Sequence, residues 1–172
     1  MCSSWVWVAR STTRRSREHP EGDSRVHVVY EGNLIMKLTV AVLLVGFLRG
    51  CNIFIEQPCS SVMEFMEPMR SFVELIATTK VRTFLGAFGS TSPKLITIYT
   101  NCEDAAALKR SLPAGVEWEQ LVKKDKGAVT GIRDRLKSSQ AYPLGFGCAV
   151  AALTSKGIRK HTLKKFGFDT LA

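Results

Sequence analysis

From Lys37 to Asn101 the hydrophobic and polar positions fall into blocks of the size an α/β layer uses. Lys37 to Arg49 is apolar almost all the way round, the pattern of a helix buried on most sides, although its many valines also suit a strand. Gly50 follows as a natural left-handed stop, with Arg49 placed at the negative helix end. Ile53, Phe54 and Ile55 form a short continuous apolar run, as a central parallel strand would, and Glu56-Gln57-Pro58 breaks it. A helix is expected from about Ser60, with Ser61 and Glu64 at capping-box spacing. Pro68 cannot sit in a helix interior, so that helix should stop near Met66 and restart at Pro68. Met69, Phe72, Val73 and Ile76 then share one face of a Pro68–Thr79 helix. Strands at Val81–Phe88 and Leu95–Thr100 flank the turn-rich Gly89–Pro93, which predicts an antiparallel hairpin.

The ends of the chain read differently. In residues 1–35, Ser11 to Arg17 is polar and basic and His19 to Asp23 is turn chemistry, with one short strand conceivable at Arg25–Tyr30. A loosely ordered basic leader is expected there. Beyond the hairpin, Asp104–Leu112 predicts a modest helix, and the polar Ala114–Gly131, with Lys123 to Gly127 at its centre, predicts a loop. Helical patches at Ile132–Ser138 and Leu144–Thr154 follow. The plan is a leader of residues 1–35, one α/β domain of residues 36–155 and a basic tail of residues 156–172.

Charge changes this picture in one respect. The 172 residues carry a net charge of +9, but residues 36–108 balance six Lys/Arg with six Asp/Glu, whereas residues 109–172 hold thirteen against five. The basic character therefore lies in the C-terminal third, where an anionic partner, whether nucleic acid (DNA), acidic lipid or an acidic protein face, would be met. Lys156, Arg159, Lys160, Lys164 and Lys165 are the residues expected to track phosphates; Phe166 and Phe168 offer little for base stacking.

The 45% hydrophobic content and the mean hydropathy of +0.04 exclude a wholly disordered chain. Five scattered cysteines lack Cys-x-x-Cys spacing and three histidines add no cluster, so no metal site is expected and the thiols read as reduced and intracellular. The apolar run Leu38–Leu48 is about a dozen residues, short of the roughly 20 a spanning helix needs. A chain started at Met36 would resemble a signal peptide; as an internal run it predicts a core helix.

The chemistry concentrates at Glu56-Gln57-Pro58. A strand followed by a helix places these residues at the carboxyl edge of the sheet, where open α/β folds bind ligands. Glu56 can accept or share a proton, and the Gln57 amide can both donate and accept. Pro58 stiffens the loop, and free amides are expected near Ser60. The same geometry predicts a concavity shared by Glu56, Gln57, Ser60 and the Gly89–Pro93 turn, with Glu56 capping amides or pairing with Lys94 as the bland alternative. There is no Gly-Lys-Ser/Thr phosphate loop and no Gly-x-Ser-x-Gly elbow.

Ile55-Glu56-Gln57-Pro58 resembles the Glu-Asn-Pro segment of Rossmann-like DNA cytosine methyltransferases, particularly the divergent phage-type enzymes. Phe88-Gly89 with Pro93 to Asn101 resembles their Tyr-Gly…Lys-Pro-Thr-x-x-Trp-Thr-Asn hairpin, and Gln140-Ala141-Tyr142-Pro143 resembles their closing Arg-x-x-Ile-Pro helix. The three stand in the family's order across Lys37 to Leu153. The resemblance implies a partial Rossmann-like sheet with a terminal antiparallel hairpin and flanking helices. It implies Glu56 as the residue that holds and protonates the target base, with Gln57, Pro58, Ser60, Lys94 and Asn101 beside the substrate.

It also shows what is missing. No glycine-rich turn for S-adenosylmethionine lies in residues 1–35, and no proline-preceded cysteine lies upstream of Glu56. Without a nucleophile or methyl donor the glutamate cannot run the reaction. The expectation is a truncated or degenerate half-domain with no cofactor of its own. The alternatives are a methyltransferase whose other half is supplied elsewhere and a basic nucleic-acid-binding module.

Overall fold

The computed structural model describes residues 2–6, 9–76, 78–126 and 128–154. The basic tail residues Lys156, Arg159, Lys160, Lys164 and Lys165 lie outside the described residues. The fold is mixed α/β, with helices on a small antiparallel sheet of three strands: β1 (Phe54–Pro58), β2 (Thr79–Phe84) and β3 (Leu95–Thr100).

The strand order is β1-β3-β2, and β3 pairs antiparallel with both neighbours. The strands β1 and β2 therefore run parallel to each other, and the connection between them passes through a helix, Glu67–Leu75. The hairpin expected between β2 and β3 is present. The expected central position of the Ile53–Ile55 run is corrected: this strand has one ladder partner, and β3 takes the centre. A continuous apolar run reports that both faces of a strand are covered. It does not report how many strands lie beside it.

Both faces of the sheet are covered. On one, Ile55 and Tyr99 join Met66, Met69, Phe72 and Ile76, together with Trp5, Met36 and Phe47. On the other, Val81, Ile96 and Ile98 meet Leu85, Phe88, Cys102, Leu108, Phe146 and Leu153. In order of sequence the helices are α1 (Arg10–Thr13), α2 (His27–Leu48), α3 (Glu67–Leu75), α4 (Arg133–Ser138) and α5 (Leu144–Thr154).

The helix α2 departs furthest from expectation. It runs 22 residues rather than starting at Lys37, because no proline separates His27 from Met36 and Gly32 is packed against Ser4, Arg15 and Trp5. It is also not buried on most sides: Leu34, Leu38, Val42 and Val45 are 57–63% exposed. Its all-round apolar pattern could not say which side would be covered; Val29, Gly32, Met36 and Phe47 are the buried positions. By length and composition alone it is long and apolar enough to cross a membrane. It ends as expected at Gly50, whose φ of 75° lets its amide reach the Phe47 carbonyl while the Cys51 amide reaches Gly46, a Schellman closure.

Residues 1–35 are not loose in the described part. Trp5 and Val29 are buried, and so is Arg15. The Arg15 guanidinium donates to the carbonyls of Pro20 (2.5 Å) and Val29 (3.2 Å) and to Asn33 Oδ1 (2.8 Å). It lies 3.4 Å from the Trp5 ring centroid. A basic residue of the leader expected to be loosely ordered instead gathers three turns of chain around itself.

Smaller corrections follow from local hydrogen bonding. The Ser60 helix is replaced by one 3₁₀ turn, Met63–Phe65. The Ser61 hydroxyl accepts from the Met63 amide (3.2 Å), while Glu64 turns away to other partners, so no capping box forms. The expected Val81–Phe88 strand stops at Phe84 and coils into a 3₁₀ turn, Leu85–Phe88. Asp104–Leu112 is likewise a 3₁₀ turn, Glu103–Leu108. The expected Ala114–Gly131 loop contains an antiparallel ribbon of β4 (Val122–Asp125) and β5 (Ala128–Gly131).

Candidate functional site

Strand alternation decides where the Glu56-Gln57 pair can act. Glu56 shares a rung with Ile98 and Val81, and Gln57 shares the next with Thr97 and Arg82, so the two side chains leave β1 on opposite faces. Because β1 is an edge strand, both still reach the space beside it. There α2 and β1 bound a cavity of about 300 Å³. Trp5, Met36, Leu43, Phe54 and Met63 make its apolar walls, and Thr39, Glu56 and Gln57 are its polar groups.

The Glu56 carboxylate is half satisfied. Its Oε2 accepts a hydrogen bond from the Tyr142 hydroxyl, whereas Oε1 is buried and has no hydrogen-bond partner among the described residues. Tyr142 is held in turn by stacking on Phe146, with ring centroids 5.8 Å apart, and Phe146 meets Phe88 edge-on at 5.3 Å. The Lys94 Nζ stands 5.5 Å from the Tyr142 ring centroid. Glu56, Lys94 and Tyr142, one from each of the three segments singled out in the sequence, thus meet on one face of the sheet. The Lys94 ammonium faces the Tyr142 ring and forms no ion pair with Glu56 among the described salt bridges.

The anchor for this contact is α5. A Cβ on Gly145 would lie 2.6 Å from the Phe88 carbonyl oxygen, so the bare glycine lets the start of α5 close onto the Leu85–Phe88 turn. That approach carries Tyr142 to Glu56.

The other sequence-singled residues separate. Gln57 is buried and accepts from the Ser61 hydroxyl at 3.0 Å. Pro58 closes β1 opposite Ile96. Ser60 lines a different cavity, beside Arg17 and Arg82. Asn101 sits at the amino end of β1, where its Oδ1 accepts the Ile53 amide (2.7 Å) and its Nδ2 donates to the Cys51 carbonyl (3.3 Å); it pins the chain into the strand. The Gly89–Pro93 turn lines neither cavity.

A second polar cluster lies on the opposite face. Glu64 pairs with Lys80 (2.5 Å) and accepts from the Tyr99 hydroxyl (2.7 Å). Burial would raise the Glu64 carboxyl, but the hydrogen bonds from Lys80 and Tyr99 outweigh it and leave it below its ordinary range. Burial, and then the Glu64 bond, push Tyr99 far above the usual phenol range. Arg15, by contrast, is pulled down to about 10 by burial, against the opposing charge of Glu21.

Trp5, Thr39 and Tyr142 were not assigned a role from sequence. Tyr142 lay inside a recognised motif and could have been found there. Nothing near Trp5 marked it as a cavity wall. None of the described cysteines lines the Glu56 cavity, and no group of three metal-binding side chains occurs among the described residues. No protein-family model matches this chain, and no curated protein or solved structure is significantly similar to it.

Proposed function

We propose that this chain is a methyltransferase-like half-domain that binds rather than reacts, and that the Glu56 cavity receives a planar nitrogen heterocycle of the cytosine type. One observation carries the reading: Glu56 lines an apolar cavity, and its Oε1 is buried with no hydrogen-bond partner among the described residues. A buried acceptor without a donor costs about 1–3 kcal/mol, and the exocyclic N4 amino group of a cytosine ring would donate to it. About 300 Å³ is at the small end of ligand pockets, suited to a single base. The resemblance supplies the same role for this glutamate. For the Rossmann-like expectation, the helix in the β1–β2 connection and the hairpin's return strand are the supporting features; both ladders of the sheet are antiparallel.

Binding without chemistry is the reading we favour, since none of the described cysteines lines the cavity. Any affinity for nucleic acid would come from the basic C-terminal third, with Glu56 adding a preference for one base. Tryptophan fluorescence is the direct assay, because Trp5 lines the cavity. Titration with cytidine should quench the wild-type chain saturably and leave Glu56→Gln unchanged. Equal quenching in both would remove Glu56 from the site.

A second reading, a methyltransferase completed by another polypeptide, is favoured by β1 having a ladder partner on one side only among the described strands. Its signature is micromolar S-adenosylmethionine binding by calorimetry. The half-domain reading expects none.

A further inference from the structure

On the face of the sheet opposite Glu56, a separate cavity of about 330 Å³ lies beyond the carboxyl end of β1. The antiparallel ladder builds it. The Cys59 amide bonds the Leu95 carbonyl (3.1 Å) and extends the β1–β3 pairing by one residue, which puts Cys59 on the same face as Gln57. Arg82 is brought to that face by its place on the Gln57–Thr97–Arg82 rung. Arg17 comes from the N-terminal segment and is fixed over the Phe65 ring at 5.4 Å.

The charges in this cavity are unevenly used. Glu64 is engaged by Lys80 and Tyr99. Glu18, at the rim, has its carboxyl held below the ordinary range by its own backbone amide and then by Ser16. Neither Arg17 nor Arg82 donates a side-chain hydrogen bond or forms a salt bridge among the described residues, and the Ser60 hydroxyl is likewise without a partner there. Two guanidinium forks and a hydroxyl thus line one cavity without a side-chain hydrogen bond among the described residues, while the carboxylates of Glu18 and Glu64, which line it too, feel the charge of Arg17. Guanidinium groups match the oxygen geometry of a phosphate and bond it bidentately.

We propose that Arg17, Arg82 and Ser60 form a binding site for a phosphate monoester group, independent of the Glu56 cavity. Cys59 lines the same cavity and is a free thiol, so a bound phosphate would stand between it and an incoming alkylating reagent.

The test is the iodoacetamide alkylation rate of each cysteine in the full chain, followed by peptide mapping. Inorganic phosphate at millimolar concentration should slow Cys59 at least threefold relative to chloride of equal ionic strength. Cys51 and Cys148, both exposed, should keep their rates. Cytidine 5′-monophosphate that protects Cys59 at lower concentration than phosphate would assign a nucleotide as the source; equal potency would assign the free anion. Protection should disappear in Arg82→Gln and in Arg17→Gln, two exposed positions whose replacement leaves the core intact. The proposal is overturned if phosphate leaves the Cys59 rate unchanged, or if both variants are protected as well as the wild type.

Discussion

At the scale of single residues, most buried polar groups are spent on structure: Asn101, Gln57 and Glu64 have their partners. Arg15 Nε and Glu56 Oε1 are buried with no hydrogen-bond partner among the described residues, and of these two residues it is Glu56 that lines the cavity between α2 and β1. The Glu64–Tyr99–Lys80 cluster gives a pH test of the structural kind. The folded-state Glu64 pKa lies below that of a free glutamate, so the unfolded chain takes up the proton first. Its contribution is present above the free value and is lost as pH falls through the lower folded value. Tyr99 is raised above 10.0, so its contribution is full below pH 10 and is lost as pH rises beyond it. Urea midpoints measured from pH 2 to 11 should fall at both ends, and Glu64→Gln should flatten the acid limb. An unchanged acid limb would mean that other carboxylates carry it. Glu56 stands out in the sequence because it interrupts an apolar run in what proves to be β1. Its partner Tyr142 lies 86 residues away, and nothing local encodes such a contact.

At the scale of elements, patterning was informative wherever one face of an element is buried. Leu95–Thr100 and Leu144–Thr154 occur with the bounds expected of them. Pro68 indeed sits in the first turn of α3, with Met69 and Phe72 buried. The failures share a cause. Strand position, helix exposure and the Arg15 turn depend on which elements come to lie alongside, and periodicity carries no information about that. Pairing in β1-β3-β2 order has a measurable consequence. Ile98 is 1% exposed on the central strand, whereas Phe54 is only partly buried on the edge. Ile98→Ala should therefore cost about 3–4 kcal/mol, within the usual range for emptying a core position. Phe54→Ala should cost less, despite the larger side chain removed. The reverse ranking in reversible denaturation curves would put β1 back at the centre.

At the scale of the whole molecule, the net charge of +9 is carried mostly by the C-terminal third, and on the proposed reading that third would meet anionic partners. Nucleic-acid affinity supplied by Lys156 to Lys165 should be insensitive to sequence and fall steeply with salt as counterions are released. Deleting Lys156 to Ala172 should lower both the affinity and the salt slope, and an unchanged slope would leave the tail no part in binding. The central claim is narrower, that Glu56 is held ready for a ligand and not for the fold. Its most direct measurement is the urea stability of wild type and Glu56→Gln, each with and without cytidine. Saturating ligand at a hundredfold excess over Kd should stabilise the wild type by about 2.7 kcal/mol. The variant should be as stable as the wild type or more so without ligand, and unresponsive to it. A variant that loses stability, beside a wild type that cytidine does not stabilise, would make Glu56 a structural partner of Tyr142 and contradict the account.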